Sequence, residues 1–155
     1  MELADILAER AVLYCTELTA KRQLFEDLAT RAAELTGHPQ AEILDAIVGR
    51  EALGSTGLGN GIAIPHGKLA GLNGVTALFA RLEHAIEFDS VDDQPVDLVV
   101  MLLAPTGAGA DHLKALSRIA RLLRTESVVD ALRRTDDPAR LYAILTEPLA
   151  NTYAA

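Results

Sequence analysis

Gly54-Ser55-Thr56-Gly57-Leu58-Gly59-Asn60-Gly61-Ile62-Ala63-Ile64-Pro65-His66-Gly67-Lys68 is the stretch on which the reading of this chain turns. Four glycines in eight positions lead into a short apolar run. The run stops at Pro65, and His66 stands between that proline and Gly67. Proline fixes the backbone on the approach, and glycine leaves the far side of the imidazole uncrowded. The expected product is an imidazole held at a strand end, beside a loop with exposed backbone N–H groups.

The chain has 155 residues, 50% of them hydrophobic and 23% charged, enough to bury one sizeable core. It reads as a single domain over 1–155, with its core at about 10–146. Aromatic residues make up only 4%, so Leu, Ile, Val and Ala must carry the packing. The net charge of −8 argues against nucleic acid as a partner; it suits a basic protein partner or serves solubility alone. Cys15 is the only cysteine, so it forms no intrachain disulfide; within Val12-Leu13-Tyr14-Cys15 it reads as a small buried apolar residue. Met1-Glu2-Leu3-Ala4-Asp5 lacks the basic start of a secretory leader, and the apolar run from Leu98 to Pro105 is too short to span a bilayer. The expected location is the cytoplasm.

Periodicity sets the elements around the opening segment. Ala11 to Thr16 reads as a short strand, and Ala20 to Leu35 as a helix burying Leu24, Phe25, Leu28, Ala32 and Leu35. Gly37 ends that helix, and Pro39 opens a second one, to about Arg50, which buries Ile43, Leu44, Ile47 and Val48. Gly54 to Gly61 reads as a loop, Ile62 to Ile64 as a short strand, and Val75 to Leu82 as a longer one. Ala85 to Phe88 is its extension or a bulged return, and Asp89 to Pro95 an acidic turn. Val96 to Ala104 is almost continuously apolar, the mark of a strand covered on both faces. After a loop at Pro105 to Gly109, a third helix from about Asp111 to Leu123 turns Leu113, Leu116, Ile119, Ala120 and Leu123 inward. Thr125 is placed to cap a fourth helix through Val128, Val129 and Leu132. Asp137-Pro138 opens a fifth with Leu141, Ile144 and Leu145 inward, and Asn151 to Ala155 is a frayed tail. The expected fold class is α/β: a single compact domain with a central mixed β-sheet flanked by helices.

Two histidines and one arginine make the candidate site. His112 falls in the first turn of the third helix, directly after the most apolar strand, where a helix N-terminus disfavours a protonated imidazole and attracts anions. Arg50 falls at the end of the second helix, beside the glycine-rich segment. A neutral imidazole is nucleophilic at cellular pH and accepts phosphoryl groups. A phosphorylated histidine needs donors around its new charge, and the glycine loop, His112 and Arg50 are the expected suppliers. Lys68 is a candidate phosphate or partner contact or a solvated lysine, and His38 and His84 read as surface residues. Ile64, Leu69 or Leu113 would form the apolar collar that keeps the site dry.

Several separated blocks carry a family resemblance: Arg50-Glu51, the run Gly54 to Lys68, Phe88-Asp89 with Gln94-Pro95-Val96-Asp97-Leu98, and His112-Leu113 with Leu116. Together they resemble the fructose/mannitol/nitrogen type of IIA domain in the bacterial phosphoenolpyruvate-dependent phosphotransferase system. Gly-Ile-Ala-Ile-Pro-His-Gly-Lys is most similar to the nitrogen-regulatory branch. The resemblance implies a phosphoryl carrier, an intermediate in transfer rather than a conventional turnover enzyme. It implies phosphorylation of His66 on Nε2, His112 as the second histidine orienting the phosphoryl group, and Arg50 as the neutralising charge. The implied donor is a small histidine-phosphorylated carrier of the HPr or nitrogen-HPr kind. The implied outlets are regulatory targets, such as potassium transporters, sensor kinases or metabolic enzymes, or a IIB domain of a fructose or mannitol permease. No cofactor and no metal are implied.

Other readings of the same residues fit less well. A phosphate-binding P-loop needs four residues between its glycine and Gly-Lys, then Ser or Thr; here five separate Gly61 from Gly67, and Leu69 follows Lys68. Gly57, Gly59 and Gly61 have the wrong final spacing for a dinucleotide fingerprint. A zinc site from His66, His112 and Asp111 has no short-range ligand pair, and no nucleophile elbow marks a serine hydrolase. A non-catalytic binding module remains as a third alternative beside the regulatory and sugar-transport readings.

Overall fold

The computed structural model of the chain describes residues 2–147. Its organising element is the strand β6 (Val96–Pro105), in which every residue from Leu98 to Ala104 is buried. Covered faces explain the unbroken apolar run: there is no solvent side on which polar residues would alternate. β5 (Thr76–Ile86) pairs antiparallel with it on one side, and β1 (Leu7–Cys15) lies parallel to β5 at the edge. On the other side lie β3 (Ile62–Ala63) and β4 (His66–Leu69), both parallel to β6. β2 (Gly57–Gly59) closes that edge antiparallel to β3. The order is β1-β5-β6-β3-β2, with β4 also on β6.

β3 and β4 are one strand interrupted. Ile62 and Ala63 face Leu98 and Val99; His66 and Leu69 face Leu102 and Pro105, with no change of register between them. Pro65 has no N–H to give to a ladder, so the pairing lapses there, while its carbonyl still accepts from Leu102 N at 2.9 Å.

Five α-helices complete the described domain: α1 (Lys21–Thr36), α2 (Gln40–Glu51), α3 (Gly109–Leu123), α4 (Glu126–Arg133) and α5 (Pro138–Thr146). A single short 3-10 turn, Leu3–Asp5, precedes β1. Gly37 ends α1 in the left-handed conformation, φ 78°, as expected. Asp137 caps α5, its carboxylate accepting from Ala139 N at 3.1 Å. All three phenylalanines are buried in the core, and Phe25 meets Phe88 edge to face at 5.8 Å.

Several sequence expectations need correction. Gly54 to Gly61 is not all loop. Asn60 and Gly61 have φ 57° and 81°, the two positive values a type I′ turn requires, and they join β2 to β3 as a hairpin. β4 was not expected, because a Gly-Lys pair carries no β signal. Ala85 and Ile86 extend β5, through a register irregularity after Arg81. Pro39 precedes α2 as its cap residue rather than opening it. Thr125 stands at the α4 N-cap position but makes no cap bond; its hydroxyl donates to Arg121 O at 3.0 Å. Cys15 is only half-buried, and desolvation pushes its thiol pKa up. The expected tail at Asn151 to Ala155 lies outside the described residues.

The hairpin turn is locked from below. Arg133 donates from Nη2 to Asn60 O at 2.7 Å and grips Asp97 through Nε and Nη2. A Cβ on Gly61 would lie 2.5 Å from Arg133 Nη2 and 2.9 Å from Asp97 Oδ1. Gly61→Ala should therefore both strain the turn and break this clamp, with a loss of roughly 1–3 kcal/mol. Urea denaturation should show a lower midpoint with an unchanged slope.

Candidate active site

Three elements converge on one surface pocket of about 600 Å³: the C-terminal half of α2, the strand β4, and the N-terminal half of α3. Ala46 and Arg50 come from α2, His66, Gly67 and Lys68 from β4, and Gly109, His112, Leu113 and Leu116 from α3. The approach of α2 to β4 depends on Gly67, where an added Cβ would sit 3.2 Å from Ala46 Cβ. The glycine after His66 thus serves close packing of a helix on the strand as well as access to the imidazole.

His66 opens β4 and is half-buried. Its Nδ1 lies 2.9 Å from Ile64 O. A carbonyl only accepts, so in the neutral ring Nδ1 carries the proton and Nε2 keeps its lone pair. Gly61 and Pro65 turn their carbonyls to β6, whereas Ile64 faces the other side of the chain. There its N–H donates to Thr56 O, and Thr56 N is already taken by the Glu51 carboxylate, so the Ile64 carbonyl is left for the imidazole.

His112 packs against His66 with ring centroids 5.6 Å apart and planes at 61°. It is 7% exposed, and its Nδ1 is buried without a hydrogen-bond partner. Burying a bare lone pair is less costly than burying an unpaired N–H, so the structure favours the tautomer with its proton on Nε2. Desolvation, with added repulsion from His66 and Lys68, lowers its pKa. Both effects favour the neutral ring. Beside it, the α3 N-terminus brings the positive end of a helix dipole to the pocket.

Arg50 lines the same pocket and is held by a bond from its Nη1 to Gly54 O, 2.8 Å. The three residues singled out in the sequence are thus brought together. A lone-pair nitrogen, a neutral N–H donor, a guanidinium and a helix N-terminus around one hollow suit the acceptance and retention of a phosphoryl group.

Other expectations fail. The glycine loop does not cradle the site. Gly54 N donates to Glu51 O, Thr56 N to the Glu51 carboxylate, Gly57 N to Ser55 Oγ and Asn60 N to Asp92, so these N–H groups are spent within the scaffold. Ile64 and Leu69 are buried in the core and form no collar; Leu113, 64% exposed, and Leu116 do. Leu113 was expected to point inward, and the inward position belongs to His112 instead. Lys68 is exposed on the rim. His84 is exposed, while His38 is half-buried. Among the described residues, no three His, Cys, Asp or Glu side chains group as a metal site would need. Sequence reasoning missed the Ile64 carbonyl as a determinant of the tautomer, because its availability depends on Thr56 N being taken by Glu51, which no local pattern shows.

Residues 5–147 match the family model described as "Phosphoenolpyruvate-dependent sugar phosphotransferase system, EIIA 2", and the chain belongs to that family. Its similarity runs to the nitrogen-regulatory branch. It is 49% identical over 150 residues to a nitrogen regulatory protein of Bradyrhizobium diazoefficiens, covering 97% of this chain and 98% of that one. The crystal structure of nitrogen regulatory protein IIA-Ntr from Neisseria meningitidis superposes with a TM-score of 0.86 at 34% identity, over 93% of this chain and 99% of that one. A fructose-specific EIIA component of Haloferax volcanii is 38% identical over 121 residues, 78% of this chain and 77% of its own. No helix among the described residues is long and apolar enough to cross a membrane.

The buried, neutral His112 makes a pH prediction. The unfolded chain takes up a proton near the ordinary histidine value of about 6.5, whereas the folded chain does so only at lower pH. The stability that His112 contributes is complete above that value and should fall as the pH drops below it. Comparing denaturation midpoints at pH 7.5 and pH 5.5, His112→Asn should lose less than the wild type over this interval.

Proposed function

We propose that the chain carries a phosphoryl group on Nε2 of His66, received from a phosphohistidine on a small HPr-type carrier. The observation that carries this reading is the bond from His66 Nδ1–H to Ile64 O, which leaves Nε2 as the free lone pair beside His112 and Arg50. As Nε2 bonds to phosphorus, the donor's N–P bond breaks and its electron pair stays on the donor nitrogen. No proton has to move in this step. The product ring carries a proton on Nδ1 and phosphorus on Nε2, so it is cationic, and the Ile64 carbonyl stabilises it. His112 donates its N–H to a phosphoryl oxygen and Arg50 offsets the charge. Positioning and electrostatics suffice for such a transfer. Leu113 and Leu116 would keep water from the junction with the carrier.

The phosphoryl group then acts as a switch. Its charge of about two negative units sits on a cationic ring, a net gain of about one negative charge, at the mouth of a pocket rimmed by exposed Leu113 and Lys68. A target that docks on this apolar rim meets a different surface in each state. Similarity to nitrogen regulatory proteins supports regulation as the main role. The fructose-specific relative supports a second reading, onward transfer to a IIB domain.

Intact-mass analysis after incubation with phosphoenolpyruvate, enzyme I and the HPr-type carrier tests the site. Wild type should gain one acid-labile phosphoryl group, and His66→Ala none. His112→Ala should label at a rate lower by about 10²–10³-fold, the usual cost of removing one preorganised donor. Labelling of His66→Ala would move the acceptor elsewhere, and an unlabelled but folded wild type would favour the binding-module alternative.

A further inference from the structure

A continuous set of bonds runs from the start of α1 to the His66 imidazole. Lys21 donates from Nζ to Phe88 O at 2.9 Å, lies 4.3 Å over the Phe88 ring and pairs with Glu51 Oε2 at 2.7 Å. Glu51 in turn accepts from Thr56 Oγ1 at 2.5 Å and from Thr56 N at 3.1 Å. The Thr56 carbonyl accepts from Ile64 N at 3.1 Å. The Ile64 carbonyl accepts from His66 Nδ1 at 2.9 Å.

We propose that Glu51 is the positioning residue of the phosphoryl acceptor: through Thr56 and Ile64 it holds the carbonyl that keeps the His66 lone pair on Nε2. The proposal rests on the reading that His66 is the acceptor. Local structure does not account for Glu51. It is the last residue of α2, where the helix dipole disfavours a carboxylate, and its side chain is only 8% exposed, where desolvation disfavours it again. Although burial pushes its pKa up, the hydrogen bonds from Lys21 and Thr56 outweigh that, and the net shift is downward. The ion pair and the two Thr56 bonds are what the charge is held by.

The consequence of removing it follows from burial. Thr56 is 5% exposed, so without Glu51 its N–H and hydroxyl are left unpaired unless the segment moves toward water. Such movement withdraws the Thr56 carbonyl from Ile64 N. The Ile64 carbonyl is then free to turn, and nothing else among the bonds found at His66 selects its tautomer. A ring with its proton on Nε2 cannot attack phosphorus from that atom.

Two readouts test this together: the His66 ring tautomer by nitrogen NMR at pH 8, and single-turnover phosphorylation against carrier concentration. In wild type, labelling checks that His66 is the acceptor, while the tautomer is read without any carrier. Glu51→Ala should mix the tautomers and lower the maximal rate by about tenfold to a hundredfold with half-saturation unchanged, the scale of a lost supporting contact. Glu51→Gln retains an oxygen for Thr56 and should keep the wild-type tautomer and most of the rate. Thr56→Val removes the hydroxyl bond alone and should fall between them; it carries the test if Glu51→Ala does not fold. Folded variants that keep the wild-type tautomer, or lose rate only through weaker carrier binding, would overturn the proposal whether or not the wild type is labelled.

Discussion

The hydrogen bond between the His66 imidazole and the Ile64 carbonyl is the point on which the site depends, and it exists because that carbonyl faces away from β6, where Thr56 N is already taken by the Glu51 carboxylate. A peptide bond to proline removes one donor from the ladder without shifting the chain. The buried strand β6 holds both halves of the interruption, Ile62–Ala63 on one side and His66–Leu69 on the other. Gly61 and Pro65 present their carbonyls to β6, and the Ile64 carbonyl, on the opposite side of the chain, meets the imidazole two residues on. The position of the ring proton is thus set by a backbone carbonyl.

The surroundings are arranged to suit that choice. Burial in the first turn of α3 disfavours the protonated form of His112, whose ring lies against that of His66. Arg50 is steadied by the Gly54 carbonyl rather than paired to a carboxylate, which leaves its charge uncancelled for an anion. The carboxylate next to it, Glu51, is turned away toward Lys21 and Thr56. Adjacent residues at the end of one helix therefore take opposite tasks: one faces the pocket, and the other braces the segment behind it.

Much of this architecture was legible in the sequence. The apolar run from Leu98 to Pro105 announced a central strand, and helix periodicity located all five helices to within a few residues. The misses have separate causes. The β2–β3 hairpin was hidden by counting glycines, although Asn60-Gly61 is itself a hairpin signal. β4 has no β-forming residues beyond a single leucine and exists because β6 offers it an edge. On α3, hydrophobicity placed Leu113 inward, but the buried face passes through His112, Ala115, Ile119 and Leu122. An apolar stripe wider than the core it covers leaves Leu113 and Leu116 at the pocket.

The sequence alone determined the residue types of the site and their neighbourhood on the chain: an imidazole after a proline, a second one at a helix start, a guanidinium at a helix end. These are local features, set by one or two residues and by the ends of helices. Only the tertiary structure decided which groups meet and in what protonation state. The edge contact of His66 with His112, centroids 5.6 Å apart, joins segments 46 residues apart, and the Lys21–Glu51–Thr56 bonds join α1, α2 and the segment before β2. The loop amides that the sequence offered to a phosphate are consumed by carboxylates and carbonyls brought near by folding. A hydrogen-bond donor is available only if nothing closer takes it, and sequence spacing does not contain that distance.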